Sequence, residues 1–235
     1  MMSHPVLDAE ELAALRALDT PTVCNALEVV CPERRGHGYT EETFVAVDSG
    51  LPPIVGYAAT AMIRSIRPGS LNAAEMRQQR FDYYRYVYET PGPTVSVVQD
   101  LDGGRAGFGS FWGEVNSAIH KALGCAGAIT DGSMRDLDDI APGFQILAHK
   151  VVPSHAFVHL EDFGVAVSVC GMNVRAGDLI HADQHGAVVI PHDHARSIAD
   201  AAAGVAAKEK LVLDAARTEP FDFDEFVAAY GEMTK

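Results

Sequence analysis

Short apolar runs with the composition of buried strands alternate along this chain with longer stretches of helical periodicity. The main strand-like runs occupy residues 54–66, 94–98, 126–130 and 144–148. Stretches of helical spacing at 71–88 and 114–123 separate the first three of these runs. Such alternation favours an α/β fold in which helices cover a sheet, because each apolar strand face must be buried against another element.

The two ends of the chain are predicted to be helical. Near the start, Thr20 precedes Pro21, which suggests a second helix with a hydroxyl cap and proline in its first turn. After Pro142 the pattern is rich in strands, and Pro191 opens an alanine-rich helix that runs to about Arg217. We therefore expect one α/β domain over residues 1–195. A helical C-terminal extension over residues 196–235 should pack on that domain or on a neighbouring subunit.

Composition limits the classes of partner that the chain can have. Its 235 residues carry a formal net charge of −14, which repels phosphate backbones and argues against nucleic-acid binding. A signal peptide and membrane-length apolar runs are missing, so we expect a cytoplasmic protein without a membrane partner. The four cysteines, none of them in a CxxC pair, fit free thiols in a reducing compartment.

The stretch from Gly113 to Asp139 concentrates the side chains that could carry chemistry. Arg135 supplies a planar fork suited to a carboxylate, and Asp136 supplies a hard oxygen ligand for Mg²⁺ or Mn²⁺. Glu114 begins a predicted helix, whose first backbone N–H groups can hold an anion. Asp131 and Gly132 are predicted to form a turn that lets the backbone approach a ligand.

A purely structural interpretation of the same residues is available. An Arg-Asp pair at the start of a helix is commonly a surface ion pair or a cap. An acid in the first turn, such as Glu114, is favoured by the helix dipole without any catalytic role. The spacing by itself therefore suggests a site and does not establish one.

The motif resembles that of the RraA-like family, which includes class II 4-hydroxy-4-methyl-2-oxoglutarate aldolases. In that family an acidic residue, twenty intervening residues and Arg-Asp are usually followed by another acid three positions on, and Glu114, Arg135-Asp136 and Asp139 match this order. Residues 18–27, 55–60 and 171–191 are similar to the family's opening helix, first core strand and closing strands. The resemblance covers roughly residues 12–195 and implies a layered α/β/β/α fold of the swivelling-domain type.

The resemblance also implies roles for individual residues. Asp136 would bind a divalent metal directly, Glu114 would hold metal-bound water, and Arg135 would contact the pyruvyl part of the substrate. The backbone amides of Val115 and Asn116 would grip the substrate carboxylate. Gly113 and Gly132 are expected beside the substrate as well. One departure is Glu114 itself, because characterised aldolases often have Asp there, which leaves the exact substrate open.

The implied activity is cleavage of a small 2-oxo acid to pyruvate through a metal-stabilised enolate. Aldol cleavage of a 4-hydroxy-2-oxo acid and decarboxylation of oxaloacetate would both produce that enolate. The resemblance further implies a homotrimer or homohexamer with sites between subunits.

Three other interpretations remain open at this stage. One is a catalytically silent family member whose site binds a carboxylate without turning it over. Some RraA-like proteins inhibit an RNA-degrading enzyme by binding it, although those regulators tend to lack the Asp after the Arg. A second metal site is conceivable at His181-x-Asp183-x-His185, whose side chains would share one face of a strand. A turn-like sequence at Asp183 favours a structural role there instead.

Overall fold

The computed structural model describes residues 6–234 and contains a large mixed sheet, a small second sheet and six α-helices. The helices are α1 (Ala9–Arg16), α2 (Thr20–Val30), α3 (Ala73–Glu89), α4 (Glu114–Ala122), α5 (Ile198–Arg217) and α6 (Phe223–Met233). The strands are β1 (Val45–Ala46), β2 (Ile54–Arg64), β3 (Thr94–Asp100), β4 (Cys125–Met134), β5 (Gln145–Val151), β6 (His159–Phe163), β7 (Val167–Val169), β8 (Met172–Val174), β9 (Leu179–Asp183) and β10 (Gly186–Ile190).

Four parallel strands form the centre of the large sheet. The strand order is β1-β5-β4-β3-β2-β9-β10, with β6 pairing with β2 in addition. Strands β2, β3, β4 and β5 run in the same direction. Their carboxyl ends therefore lie at one edge of the sheet, where loops can bring side chains from several strands together.

Both faces of this sheet are buried, as expected for parallel strands. One face packs against α3 and the segment before α4, with Tyr83, Trp112 and Phe144 among the fully buried side chains. The other face packs against the β7–β8 hairpin, the small second sheet, through residues such as Val169 and Met172. The mixed α/β class expected from the sequence is confirmed.

The start of α2 differs in detail from the sequence-based expectation. Asp19, not Thr20, is the N-cap, and its carboxylate accepts the N–H of Thr22 at 2.8 Å. The Thr20 hydroxyl instead lies 3.0 Å from Nδ1 of His181 in β9. A hydroxyl cap was the wrong prediction because the carboxylate one residue earlier occupies that position and frees Thr20 for a tertiary contact.

One further local prediction was wrong, and one strand was not predicted. Asp131 and Gly132 do not form a turn, because β4 continues through them to Met134 with a shift in register against β5. Strand β6 was not predicted from the sequence, since its five residues, His159–Phe163, include two acids and one fully buried side chain, Leu160. Such an edge strand lacks the apolar alternation on which strand prediction depends.

Helices α5 and α6 follow the large sheet, and α5 packs on the same chain. Ile198 and Ala202 of α5 are buried in a third core cluster with Val23 and Leu27 of α2. The boundary at residue 195 stays a prediction. Among residues 6–234, no helix combines the length and apolar composition needed to cross a bilayer.

We expect Gly204→Ala to raise the free energy of unfolding by about 0.5–1 kcal/mol, because glycine in a helix interior is disfavoured relative to alanine. Gly204 lies within α5, and an added Cβ would meet no atom within 4 Å. Urea denaturation measures the change. The reverse substitution at the exposed neighbour, Ala203→Gly, should lower stability by a similar amount. A destabilised Gly204→Ala variant would contradict the prediction.

Candidate active site

Arg135 and Asp136 lie directly after β4, at the carboxyl edge of the sheet. The Arg135 N–H donates to the carbonyl of Trp112 at 3.0 Å, and Trp112 forms an isolated parallel bridge with Met134. These contacts hold the segment before α4 against the end of β4. The first turn of α4 is therefore fixed beside Arg135 and Asp136.

Asp136 has an unusual backbone conformation that presents its carboxylate to the N-terminus of α4. Its φ and ψ are 53° and 46°, the left-handed region, which costs a non-glycine residue on the order of 1 kcal/mol. Its Oδ2 lies 3.4 Å from the N–H nitrogen of Glu114 and 3.4 Å from Nε of Arg135. Since Gly113 offers α4 no side-chain cap, the Asp136 carboxylate is the negative group that faces the positive end of this helix.

Gly113 provides the space that this arrangement needs. A Cβ at position 113 would lie 2.6 Å from Oδ2 of Asp136 and 3.2 Å from Cγ of Arg135. Its φ of −173° is extended backbone that any residue can adopt. The absence of a side chain at this position is thus required by the neighbouring groups and not by the backbone.

A cleft of about 320 Å³ opens at this point. It is lined by Arg80, Ser110, Phe111, Gly113, Val115, Asn116, Arg135, Asp136, His155 and Val158. Two guanidinium groups, those of Arg80 and Arg135, and the carboxylate of Asp136 lie among mostly neutral neighbours. The cleft therefore offers positive charge for an anionic ligand and one carboxylate for a cation.

The structure brings five of the seven sequence-predicted site residues to this cleft. Arg135, Asp136, Gly113, Val115 and Asn116 line it. The Glu114 side chain is exposed and is not part of the lining, although its N–H faces Asp136.

Gly132 is likewise not part of the lining. It is buried within β4, where an added Cβ would lie 2.9 Å from Oγ1 of Thr130 and 3.6 Å from Cβ of Asp100. Its expected place beside the substrate depended on a turn at 131–132, which the continuing strand replaces.

The first backbone N–H groups of α4 face the cleft without acceptors in the helix. The first intrahelical bond runs from the N–H of Ser117 to the carbonyl of Gly113, so the N–H groups of Val115 and Asn116 precede the helical ladder. The Asn116 side chain is already engaged, since its amide donates to Phe111 and its Oδ1 accepts the Tyr84 hydroxyl at 3.1 Å. Two backbone donors thus remain for a carboxylate.

Sequence analysis missed several lining residues, and two of these are titratable. Arg80 comes from the middle of α3 and His155 from the loop between β5 and β6. The His155 Nδ1 lies 2.7 Å from the carbonyl of Ala156, which leaves Nε2 for other partners. Both residues reach the cleft through the tertiary fold, and the only signal for Arg80 was the enrichment of α3 in arginine and tyrosine.

A buried hydrogen-bond network holds α4 in place. His120, which is fully buried, lies with Nε2 2.9 Å from the Tyr83 hydroxyl and with Nδ1 2.7 Å from the Asn116 carbonyl. The Tyr83 hydroxyl also lies 3.1 Å from Oγ of Ser96 in β3. Burial lowers the pKa of His120 to about 4, because the interior disfavours the charged ring.

We expect this network to make the protein less stable in mild acid. The unfolded chain takes up a proton at His120 near pH 6.5, whereas the folded chain does so near pH 4. The contribution of His120 is therefore complete above pH 6.5 and is lost as the pH falls towards 4, by about 1 kcal/mol per pH unit. Urea denaturation of the wild type and of His120→Gln, each at several pH values, measures the difference.

The comparison with His120→Gln is necessary because Asp131 acts in the opposite direction. Burial raises the pKa of Asp131 to about 7 from an ordinary value of 3.8, so its contribution is lost as the pH rises through that interval. This effect is common to both proteins and cancels in their difference. A difference that stays constant between pH 4 and 6.5 would contradict the predicted role of His120.

The alternative metal site at His181, Asp183 and His185 has a structural explanation. His181 is fully buried, with Nδ1 3.0 Å from the Thr20 hydroxyl and Nε2 3.1 Å from the carbonyls of Leu15 and Leu18. The Asp183 carboxylate accepts the N–H of Thr20 at 2.9 Å. These contacts tie α1 and α2 to β9 and leave no ring nitrogen of His181 for a metal.

The amino-acid sequence of the chain is similar to a known protein family and to individual proteins. The family model for RraA-like proteins, described as Aldolase/RraA, matches residues 20–189. Over 105 residues the chain is 34% identical to an uncharacterized protein of Methanocaldococcus jannaschii, covering 44% of this chain and 50% of that protein. Over 104 residues it is 31% identical to a candidate 4-hydroxy-4-methyl-2-oxoglutarate aldolase of Albidiferax ferrireducens, covering 43% and 60% respectively. The chain thus spans about half to three fifths of the length of these relatives.

Solved structures share the fold at low sequence identity. An uncharacterized protein of Pseudomonas syringae matches with a TM-score of 0.69 and 22% identity, covering 92% of each chain. A Streptomyces coelicolor protein, described as an unusual member of the RNase ES inhibitor RraA protein family, matches with a TM-score of 0.68 and 24% identity. This second match covers 88% of this chain and 96% of that one. At this level of identity the likeness shows the fold alone.

Proposed function

The chain belongs to the RraA-like family, and from this premise we propose that it is a divalent-metal-dependent lyase acting on a small 2-oxo acid. The reaction is aldol cleavage of a 4-hydroxy-2-oxo acid, decarboxylation of oxaloacetate, or both, and each releases pyruvate. One observation carries the proposal: a carboxylate, a guanidinium and the N-terminus of α4 converge on one cleft. The aldolase name of one relative supports the reaction class.

The cleft contains the groups needed to bind a 2-oxo acid by its carboxylate. The N–H groups of Val115 and Asn116 offer two donors at the positive end of α4. The Arg135 guanidinium lies next to them and can form charge-assisted hydrogen bonds to the carboxylate or the adjacent carbonyl oxygen. Arg80, on the α3 side of the cleft, adds a second positive charge and suits a substrate with a second carboxylate.

The residues around Asp136 fit a divalent cation. The carboxylate is about one-third exposed, and within residues 6–234 Oδ2 has only the two long contacts to Glu114 and Arg135 described above. The missing Cβ at Gly113 leaves its surroundings open. Carboxylate oxygens are the ligands that Mg²⁺ and Mn²⁺ prefer, and Glu114 supplies a second acid in the adjacent turn. When bound, such a cation supplies a Lewis acid that polarises the 2-oxo group.

Bond cleavage at C3–C4 places negative charge on the 2-oxo oxygen, and the Arg135 guanidinium in the cleft lining would stabilise that charge. No lysine lines the cleft among residues 6–234, so a Schiff-base mechanism lacks its amine. The His155 ring can transfer a proton through Nε2, because Nδ1 is held by the Ala156 carbonyl.

An oligomer with sites between subunits is part of the proposal. Val115 in the cleft lining and Leu137, directly after Asp136, are 67% and 44% exposed. A neighbouring subunit could cover these apolar side chains and contribute a residue to the site. Phe223, Val227 and Tyr230 of α6 provide a further exposed apolar surface for assembly.

We expect Mg²⁺ or Mn²⁺ to raise the rate of pyruvate release at least about tenfold over the rate in excess chelator, because the cation contributes to transition-state stabilisation. The assay screens oxaloacetate and several 4-hydroxy-2-oxo acids, with pyruvate measured by a coupled dehydrogenase. A blank with metal and no protein removes the spontaneous decarboxylation of oxaloacetate. An undiminished rate of pyruvate release in excess chelator would refute the proposed dependence on a divalent metal. If none of these acids released pyruvate, the proposed lyase activity would be refuted. The alternative, a regulator that binds an RNA-degrading enzyme, would then be favoured.

A further inference from the structure

Three metal-ligating side chains converge on the face of the large sheet that packs against the β7–β8 hairpin. The side chains are those of Glu42, His149 and Cys170, and their ligand atoms all lie within 4.8 Å of one another. None of the three lines the cleft around Asp136. The group is thus separate from the proposed lyase site.

Three separate segments of the fold bring these residues together. His149 lies in β5, two residues after Leu147, so the two side chains are on the same face of the strand. Leu147 belongs to the same core cluster as Cys170. Glu42 precedes β1, which pairs with β5 through Val45 and Ala148. The N–H of Glu41 donates to the carbonyl of Cys170 at 2.8 Å, which ties this segment to the hairpin.

Cys170 occupies a backbone position that ordinarily favours glycine or asparagine. It has a φ of +47° in the tight turn between β7 and β8, followed by Gly171 at +84°. Its side chain is buried, with 5% exposure, and is directed among polar neighbours as well as the apolar core. Filling apolar space alone does not explain why a residue other than glycine or asparagine adopts this conformation.

The His149 ring has a buried nitrogen without a hydrogen bond. Nδ1 is buried and has no hydrogen-bond partner among the described residues. Oε2 of Glu42 lies 3.5 Å from this nitrogen, a separation too long for a well-formed hydrogen bond. Ligand atoms around tetrahedral zinc lie about 3.3–3.8 Å apart, given bond lengths of about 2.0–2.3 Å. The imidazole and the carboxylate are thus already spaced as two ligands of one ion.

We propose that Glu42, His149 and Cys170 form a second metal site, selective for Zn²⁺ over Mg²⁺. Thiolate and imidazole ligands are those that zinc prefers, and three protein ligands leave a fourth position for water or a further ligand. Binding releases the thiol proton to solvent as the Zn–S bond forms. The ion can enter from the side of Glu42, whose side chain is 60% exposed.

The test uses the full chain without a tag, stripped of metal, and carrying Asp136→Asn to remove the proposed magnesium ligand. Zinc is titrated in competition with a chromophoric chelator. We expect one equivalent of zinc per chain, and Cys170→Ser or His149→Ala should each weaken its binding at least about 100-fold. Cobalt(II) should give a thiolate-to-metal charge-transfer band that Cys170→Ser removes. Cys24→Ser is the matched control on a thiol outside the group and should change neither readout.

Glu42→Gln keeps the test decisive if a core variant does not fold. Because the Glu42 side chain is mostly exposed, this variant should fold normally and weaken zinc binding about tenfold. The proposal is overturned if the Asp136→Asn protein binds no zinc. It is equally overturned if zinc binding is unchanged in Glu42→Gln, or if the cobalt band persists in Cys170→Ser.

Discussion

Replacing Asp136 by Asn should lower kcat/KM for pyruvate release at least about 1,000-fold. The substitution removes the one carboxylate of the cleft lining that can hold a divalent cation, and several kcal/mol of transition-state stabilisation correspond to about three powers of ten. Asparagine is preferable to alanine here, because it tolerates the left-handed conformation that Asp136 adopts. The loss should therefore reflect ligand chemistry and not a displaced backbone.

Asp138→Asn is the matched control, since Asp138 is an exposed acid in the same loop and no part of the cleft lining. It removes the same formal charge and should leave the rate within about twofold of the wild type. Circular dichroism and thermal denaturation check that both variants fold. If Asp136→Asn retained wild-type turnover that still depended on metal, Asp136 would not be the ligand.

Gly113→Ala should lower kcat/KM about 100-fold while leaving the fold intact. The added methyl group would lie 2.6 Å from Oδ2 of Asp136 and 3.2 Å from Cγ of Arg135, so at least one of these side chains must move. Displacement of a reacting group by about 1 Å is sufficient for a loss of this size. The backbone itself is not strained by alanine, because the φ of Gly113 is −173°.

Gly104→Ala provides the control for this second variant. Gly104 also lies in the segment between β3 and α4, but an added Cβ there would meet no atom within 4 Å. We expect activity close to that of the wild type. Measurement of kcat/KM and of the free energy of unfolding for both variants separates the effects. Equal activity of the two alanine variants would show that the space beside Asp136 is not needed for catalysis.

The order of the main elements could be predicted from the sequence because their patterns are local. Pro21 in the first turn of α2 and the apolar run of β2 each mark an element without reference to the rest of the chain. Strand β6 could not be found in this way, since it is defined by pairing with β2 and has little apolar pattern of its own. The Asp-Gly pair at 131–132 resembles a turn in sequence. In the structure Gly132 lies within β4, where the Thr130 hydroxyl leaves no room for a Cβ.

Some residues of the candidate site could likewise be predicted from a local sequence pattern, and others depend on the tertiary fold. Arg135, Asp136 and the start of α4 belong to one continuous motif, so their convergence could be predicted. Arg80 and His155 come from distant parts of the chain, and no spacing rule connects them with that motif. The Glu114 side chain was expected in the site by resemblance, but it is exposed and lies outside the cleft lining.

The hydrogen bonds of His120 to Tyr83 and to the Asn116 carbonyl have a consequence for how the cleft responds to charge. Because His120, near the end of α4, is bonded to the buried Tyr83 hydroxyl of α3, the amide dipoles of α4 do not turn when an anion arrives or when the proposed enolate develops. Little reorganisation energy is then required during the reaction, because the dipoles were aligned when the chain folded. The rigid packing of His120 in the interior thus keeps the N–H groups at the start of α4 oriented towards the cleft.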